Sequence, residues 1–258
     1  MCLIAFAYKV SPEYPLILVA NREEFYDRPT EKAHFWKGTE EHRILAGKDL
    51  KAGGTWFGVS ENGKWAAVTN HRDMKSIKET APTRGNLIPD FLKTKKTGKE
   101  YLLKLQDGAE RYNGFNLLVG DSTGIYHYSN ISDVITKIEP GIHGVSNALL
   151  NTPWPKLEKA KEMLKKKLQN EDLSKASLFD LLNDQTQAQE DELPNTGLSD
   201  ELEKALSSIF IDTKNYGTRC STLLIIGQNG NMKFVERTYD SKSPIQAADQ
   251  EFEMRNVE

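Results

Sequence analysis

The strongest constraint on this chain lies in its first twenty residues. Cys2-Leu-Ile-Ala-Phe-Ala-Tyr8 and Leu16-Ile-Leu-Val-Ala20 are apolar throughout, with Ser11-Pro-Glu-Tyr-Pro15 between them. Two short apolar runs around a turn read as a β-hairpin. Neither run alternates apolar with polar residues, so the sheet they form is expected to be covered on both faces. Four polar residues, Asn21-Arg22-Glu23-Glu24, follow the second run at once. They are costly to bury unless paired. In strand geometry Arg22 and Glu24 share one side, and Asn21 and Glu23 the other. Either one pair faces a pocket while the other braces the loop onto Tyr26, Asp27 and Arg28, or all four make a surface turn with local salt bridges.

The rest of the chain reads as more paired strands with helices in the middle. Thr55–Val59 and Lys64–Asn70 flank the turn signal Asn62-Gly63. Gly53-Gly54 precedes them, where the backbone bends sharply or approaches another group closely. His71–Pro82 is a basic loop, and short helices are expected over Gly85–Leu92 and Lys99–Leu105. Phe115–Gly120, Ile125–Tyr128 and Val134–Ile138 are strand candidates. Leu157, Ala160, Leu164 and Leu168 recur at helical spacing, with Pro155 in the first turn and lysines on the outer face. Ser174–Leu182 is a second helix, and Glu201–Ile209 a shorter one. Asn183–Ser199, rich in Asn, Asp, Gln and Glu, reads as a mobile polar segment. Cys220–Ile226, Met232–Thr238 and a stretch near Glu251–Arg255 return to strand. The pattern suits one α+β domain over residues 1–258, with helices packed on paired sheets. Strand and helix do not alternate as a doubly wound fold requires, and no phosphate-binding glycine loop is present.

The charges nearly balance, with 34 Lys and Arg against 37 Asp and Glu, for a net charge of -3. There is no basic excess for wrapping nucleic acid. At 258 residues the chain can bury a core without staples. Two cysteines are too few for a disulfide framework, although a single Cys2–Cys220 bridge is conceivable. No apolar run approaches a membrane-spanning length, and the first residues do not resemble a signal peptide. The expectation is a soluble protein of the cytoplasm.

Cys2 is the sharpest chemical signal. Removal of Met1 would leave one residue with a thiol and a free α-amine, and the amine can then activate its own nucleophile. The alternative is an apolar strand that happens to begin with Cys. Asn70 and Asn147 end their segments, where a side-chain amide either donates to a developing oxyanion or caps a turn, the commoner role. Arg219 precedes a buried-looking strand and must find an anion there, in Glu24, a ligand carboxylate or a phosphate. Strand alternation then predicts that, if Arg219 faces a site, Cys220 points into the opposite layer. His34 and His42 are read as loop residues, solvated or lining an entrance, and His143 lies between glycines. No histidine pair or cysteine spacing suggests a metal. Trp36, Trp56, Trp65 and Trp154 read as core or groove lining.

Several of these segments together resemble a known family. Met1-Cys2-Leu-Ile, Ala20-Asn21-Arg22-Glu23-Glu24-Phe25-Tyr26-Asp27-Arg28-Pro29, Gly53-Gly54-Thr55-Trp56-Phe57-Gly58, Tyr112-Asn113-Gly114-Phe115-Asn116-Leu117, Gly144–Trp154 and Tyr216-Gly-Thr-Arg219 look like the NRDE family, which includes the transport and Golgi organisation 2 proteins. Glu23 departs from the family's name motif, which has Asp at that position. The family in turn resembles N-terminal nucleophile hydrolases of the penicillin V acylase and bile-salt hydrolase type. That resemblance implies a four-layer αββα sandwich. It also implies site residues at Cys2, Arg22, Asn70, Asn147 and Arg219, with Glu24 the nearest match to the hydrolases' Asp.

Two functions follow as expectations from the resemblance. The first is a cysteine amidohydrolase acting on a non-peptide carbon–nitrogen bond without a cofactor. Cys2 would attack, Asn70 and Asn147 would hold the oxyanion, Arg22 would tune the thiol, and Arg219 would orient an anionic substrate. The second is a non-enzymatic carrier or trafficking protein for haem, an acyl-coenzyme A or a lipid, that is, a small amphipathic or anionic ligand held in the same cleft.

Overall fold

The computed structural model describes residues 2–37, 43–74, 76–240 and 243–255. The opening hairpin is β1 (Cys2–Tyr8) and β2 (Leu16–Phe25). It sits inside a six-stranded antiparallel sheet with β10 (Gly141–Val145), β11 (Tyr216–Ile226), β12 (Met232–Asp240) and β13 (Ser243–Met254), in the order β10-β1-β2-β11-β12-β13. A second, seven-stranded sheet runs in chain order. It comprises β3 (Thr30–Phe35), β4 (Ile44–Asp49), β5 (Phe57–Ser60), β6 (Trp65–Asn70), β7 (Phe115–Asp121), β8 (Gly124–Ser129) and β9 (Val134–Lys137).

Three apolar clusters explain the layering. Alternation along β1 and β2 sends Ile4, Phe6 and Leu18 against Leu45, Phe57, Trp65 and Leu118 of the second sheet, which makes the core between the sheets. The opposite face of the same strands, Leu3, Ala5, Ile17 and Val19, packs under α3 (Pro155–Gln169) and α4 (Lys175–Leu182). The outer face of the second sheet, with Ala66, Leu117 and Val119, is covered by α1 (Leu87–Lys93) and α2 (Gly98–Gln106). The result is a four-layer αββα sandwich. The hairpin is apolar on both sides because one side meets a sheet and the other meets helices.

The expected helices are present with shifted ends. Leu157, Ala160 and Leu164 are the buried stripe of α3, with Pro155 in its first turn. The last helix, α5 (Asp200–Ala205), is shorter than the Glu201–Ile209 expectation. Within Asn183–Ser199 the chain makes one 3-10 turn at Glu190–Glu192. Residues 30–49 hold two unexpected strands, so His34 lies in β3 rather than in a loop. His42 and Met1 lie outside the described residues. The last strand is longer than the stretch near Glu251–Arg255. Among the described residues no helix is long and apolar enough to cross a membrane.

Candidate functional site

The polar end of β2 meets the open end of the sandwich. In register Cys2 pairs with Arg22 across β1–β2, and Arg22 pairs with Cys220 across β2–β11. Side chains directly opposite each other share a face, so Cys2, Arg22 and Cys220 form one row. Neighbouring strands are about 4.8 Å apart, which puts the two cysteines about 10 Å apart and beyond disulfide reach. Both are free thiols, and the conceivable Cys2–Cys220 bridge is excluded.

A cleft of about 290 Å³ opens at this row. Cys2, Arg22, Glu23, Glu24, Trp56 and Asn70 line it from the two sheets. Arg28, Arg84 and Asn113 close it from the connecting segments, and Asp49 from the end of β4. Gly54 fixes one wall. A Cβ at that position would sit 2.3 Å from the Gly85 carbonyl carbon, so only glycine lets the two backbones meet there. Thr55 N–H donates to the Gly85 carbonyl across the join at 3.1 Å.

Arg22 is the buried cation of the cleft. It is 6% exposed, and its guanidinium lies 4.1 Å from the centre of the Trp56 ring. Its Nη1 has no hydrogen-bond partner, and no carboxylate among the described residues reaches ion-pair distance. The buried indole N–H of Trp56 also lacks a partner. Arg28, by contrast, is committed to Asp49 at 2.7 Å and lies 3.7 Å from Glu24. Arg84 donates to the Gly114 carbonyl at 2.9 Å.

On the other side of β2, Asn21 is hydrogen-bonded within the protein. Asn21 donates to the carbonyls of Leu182 and Ile209, both at 2.9 Å, and accepts from Ser221 Oγ. It therefore clamps the helical layer to the sheet and does not brace the loop at residues 26–28. Glu23, 1% exposed, is packed toward Lys156 of α3. Burial pushes the Glu23 carboxyl up to about 7, against the pull of Lys156, and pushes the Lys156 ammonium down to about 8, against the pull of Glu23. Arg72 and Glu203 extend this cluster as a buried ion pair of 2.6 Å. Lys156 is 3% exposed, the exception to the expectation that the lysines of this helix cover its outer face.

The six predicted residues do not all converge. Cys2, Arg22, Glu24 and Asn70 share the cleft. Asn147 does not line it. Its side-chain amide donates to the Asn70 carbonyl at 3.0 Å, so it supports the wall in the manner of a turn cap. Arg219 also lies outside the lining, and its Nη1 donates to the carbonyls of Phe25 and Arg28. Its partners are loop carbonyls, not the anion expected from sequence. A β-bulge between Thr218 and Cys220 breaks alternation at Arg219. Cys220 is buried on the inter-sheet side with Arg22 and Glu236, and because Arg219 does not face the cleft, the condition for placing Cys220 in the opposite layer is not met. The carboxylate beside Cys2 is Glu23, whereas Glu24 accepts its neighbour's N–H from Phe25. Glu23 was named from sequence as a member of the polar run but not as a residue of the cleft, and nothing local in the sequence marks Arg84 or Lys156.

Burial raises the Cys2 thiol above its ordinary value. Glu23 adds to this, while the amino-terminal charge and Arg22 oppose it. Among the described residues no histidine lines the cleft. The described residues hold no group of three or more His, Cys, Asp or Glu able to bind a metal.

Comparison with known proteins gives a consistent result. The family model for transport and Golgi organisation 2 matches residues 1–241. The transport and Golgi organization protein 2 homolog of Homo sapiens is 37% identical over 270 residues, covering 94% of each chain. The Mus musculus homolog is 36% identical over 262 residues, covering 92% of this chain and 93% of its own. The Drosophila melanogaster protein is 26% identical over 277 residues, covering 95% of this chain and 94% of its own. Among solved structures, a mutant of conjugated bile acid hydrolase from Clostridium perfringens superposes with a TM-score of 0.53 at 9% identity, over 98% of this chain and 92% of that one. At that identity the likeness is one of fold alone, the αββα arrangement of the N-terminal nucleophile hydrolases.

Proposed function

Because the chain belongs to the transport and Golgi organisation 2 family, we propose that its cleft serves a non-enzymatic carrier of a small amphipathic anion, such as haem, an acyl-coenzyme A or another lipid. One observation carries this reading: Arg22 is a buried cation with an unpartnered Nη1 and no carboxylate in reach. A buried unpaired charge is costly, and an arriving anion removes that cost. The Trp56 ring beneath the guanidinium offers a flat apolar surface beside the charge.

Size sets the mode of binding. At about 290 Å³ the cleft lies at the small end of ligand sites. It suits an anionic head group, with the apolar body extending past Ala81 and Pro82 toward solvent. Burial holds Cys2 as a neutral thiol, so cleavage would need the α-amine that removal of Met1 frees as its base, whereas carriage needs no such activation.

Titration with haem, a long-chain acyl-coenzyme A and a free fatty acid tests the reading. The expected result is saturable, reversible binding of at least one of them, with the ligand recovered intact and the protein mass unchanged. An acyl adduct on Cys2 that turns over with amide substrates would establish the hydrolase instead. Absence of saturable binding across the panel would remove the carrier reading.

A further inference from the structure

We propose that Glu23 makes anion binding in this cleft proton-coupled: an anionic head group on Arg22 enters together with one proton, which resides on the Glu23 carboxyl. This rests on the reading of the cleft as an anion site, and it adds how that site loads and unloads.

The argument begins with geometry. Arg22 and Glu23 are successive residues, both line the cleft, and both are more than nine-tenths buried. Both Glu23 carboxylate oxygens are buried. Lys156 and Arg22 both hold the Glu23 carboxyl below the value that burial alone would give it. An anion matched to Arg22 cancels that part of the pull, and the added negative charge favours the protonated form of Glu23. A strong-acid head group holds no proton near neutrality, so the proton goes to Glu23. Burial already brings that carboxyl up to about 7, so little further push is required.

The groups around Glu23 come from every neighbouring element. Lys156 faces it from α3, Arg22 from β2 itself, and Arg72 from the segment after β6, together with the amino-terminal charge. Cys2 faces it from β1 and Tyr216 from β11, with Glu203 behind Arg72 and Lys156. The guanidinium groups keep their charge near neutrality. Burial pushes the Cys2 thiol and the Tyr216 phenol up, so both stay protonated there. The other groups that change charge in this window are Lys156, at about 8, the terminal amine, and Glu236, at about 7. Glu236 lies on the inter-sheet side, where it accepts the Ala33 N–H at 2.7 Å. Substitution must separate these groups from Glu23.

The probe is 8-anilinonaphthalene-1-sulfonate, whose sulfonate stays ionised across the range. It is titrated by fluorescence into the full chain at about pH 6 and about pH 8. Binding that survives in Arg22→Met belongs to other surfaces and is subtracted. The expected wild-type result is a dissociation constant roughly tenfold weaker at the higher pH. Glu23→Gln should bind at the higher pH as tightly as the wild type does at the lower one. Glu23→Asp keeps a titrating group and should keep the pH dependence, which guards against misreading a folding defect. Glu236→Gln should leave the dependence in place, and Lys156→Met should shift its midpoint upward without removing it. Equal affinity of the wild type at both pH values, or a Glu23→Gln variant with the wild-type dependence, overturns the inference while leaving the anion site standing. An Arg22→Met variant that binds the probe as the wild type does overturns the anion site itself, and the inference with it.

Discussion

Strand β2 is two different objects joined at Ala20. Its first half, Leu16–Ala20, is apolar on both faces and is buried between the second sheet and the helices. Its second half, Asn21–Glu24, is polar on both faces, and three of its four residues are equally buried. In the first half every side chain meets its own kind, and either face is stable without a ligand. In the second half the two faces differ. On the face toward the helices the Asn21 amide is hydrogen-bonded within the protein, while Glu23 reaches the edge of the cleft and has Lys156 behind it as an electrostatic neighbour. The face toward the cleft leaves Arg22 unmatched. The strand teaches that burial alone does not mark a site, whereas burial without a partner does.

The comparison is broken most severely at the buried ion pair behind the polar half of the strand. Glu203→Ala leaves Arg72 buried without its counter-ion, and removing one member of such a pair costs about 3–5 kcal/mol. Thr196 also loses its acceptor there. A urea titration should show the midpoint fall accordingly, and an unchanged midpoint would mean that the cluster is solvated. Leu18→Ala, in the apolar half, opens a cavity between the sheets and should cost about 2–5 kcal/mol by the same measurement. Arg22→Met should behave differently from both. It removes an unmatched charge and retains apolar volume, so stability should move by no more than about 1 kcal/mol in either direction. A large loss of stability in that variant would show that Arg22 is structural.

The smallest effect is visible only against pH. Glu23 and Glu236 are raised to about 7 in the folded chain, above the ordinary carboxylate value near 4.5. Between those values the folded state binds more protons than the unfolded one. The stability these groups contribute is complete below 4.5 and is lost as pH rises through 7. Wild-type stability should therefore decline from mildly acidic to mildly alkaline pH, and Glu236→Gln should flatten part of that decline. Thermal melts across the range would reveal either slope.

Much of this was legible in the sequence where pattern and packing agree. The apolar hairpin announced a sheet covered on two sides, and Leu157, Ala160 and Leu164 announced the helix that covers one of them. The polar run after Ala20 marked the place of the site. Other features carried no local signal. β3 buries only Ala33 fully, so its residues do not read as a strand. β4 carries Gly47 where a Cβ would overlap Trp56, a constraint set by tertiary packing. The bulge at Arg219 interrupts the regular strand on which the alternation argument for Arg219 and Cys220 rests. Lys156 is one of several lysines on an amphipathic helix, and only the carboxylate across the layer boundary explains why it turns inward. Family resemblance supplied the sandwich and the name motif. It did not reveal that Glu23, rather than Glu24, packs beside Cys2, or that Asn147 and Arg219 serve as braces.

The central claim is that the cleft holds an anion through Arg22 and does not need the Cys2 thiol. The most direct test compares the dissociation constant of one long-chain acyl-coenzyme A for the wild type, Cys2→Ala and Arg22→Met at a single pH. The account predicts Cys2→Ala within about twofold of the wild type and Arg22→Met weaker by at least about tenfold, the loss of roughly one charge-assisted contact. Binding that survives in Arg22→Met but disappears in Cys2→Ala would contradict it, and would make the thiol the functional group of the cleft.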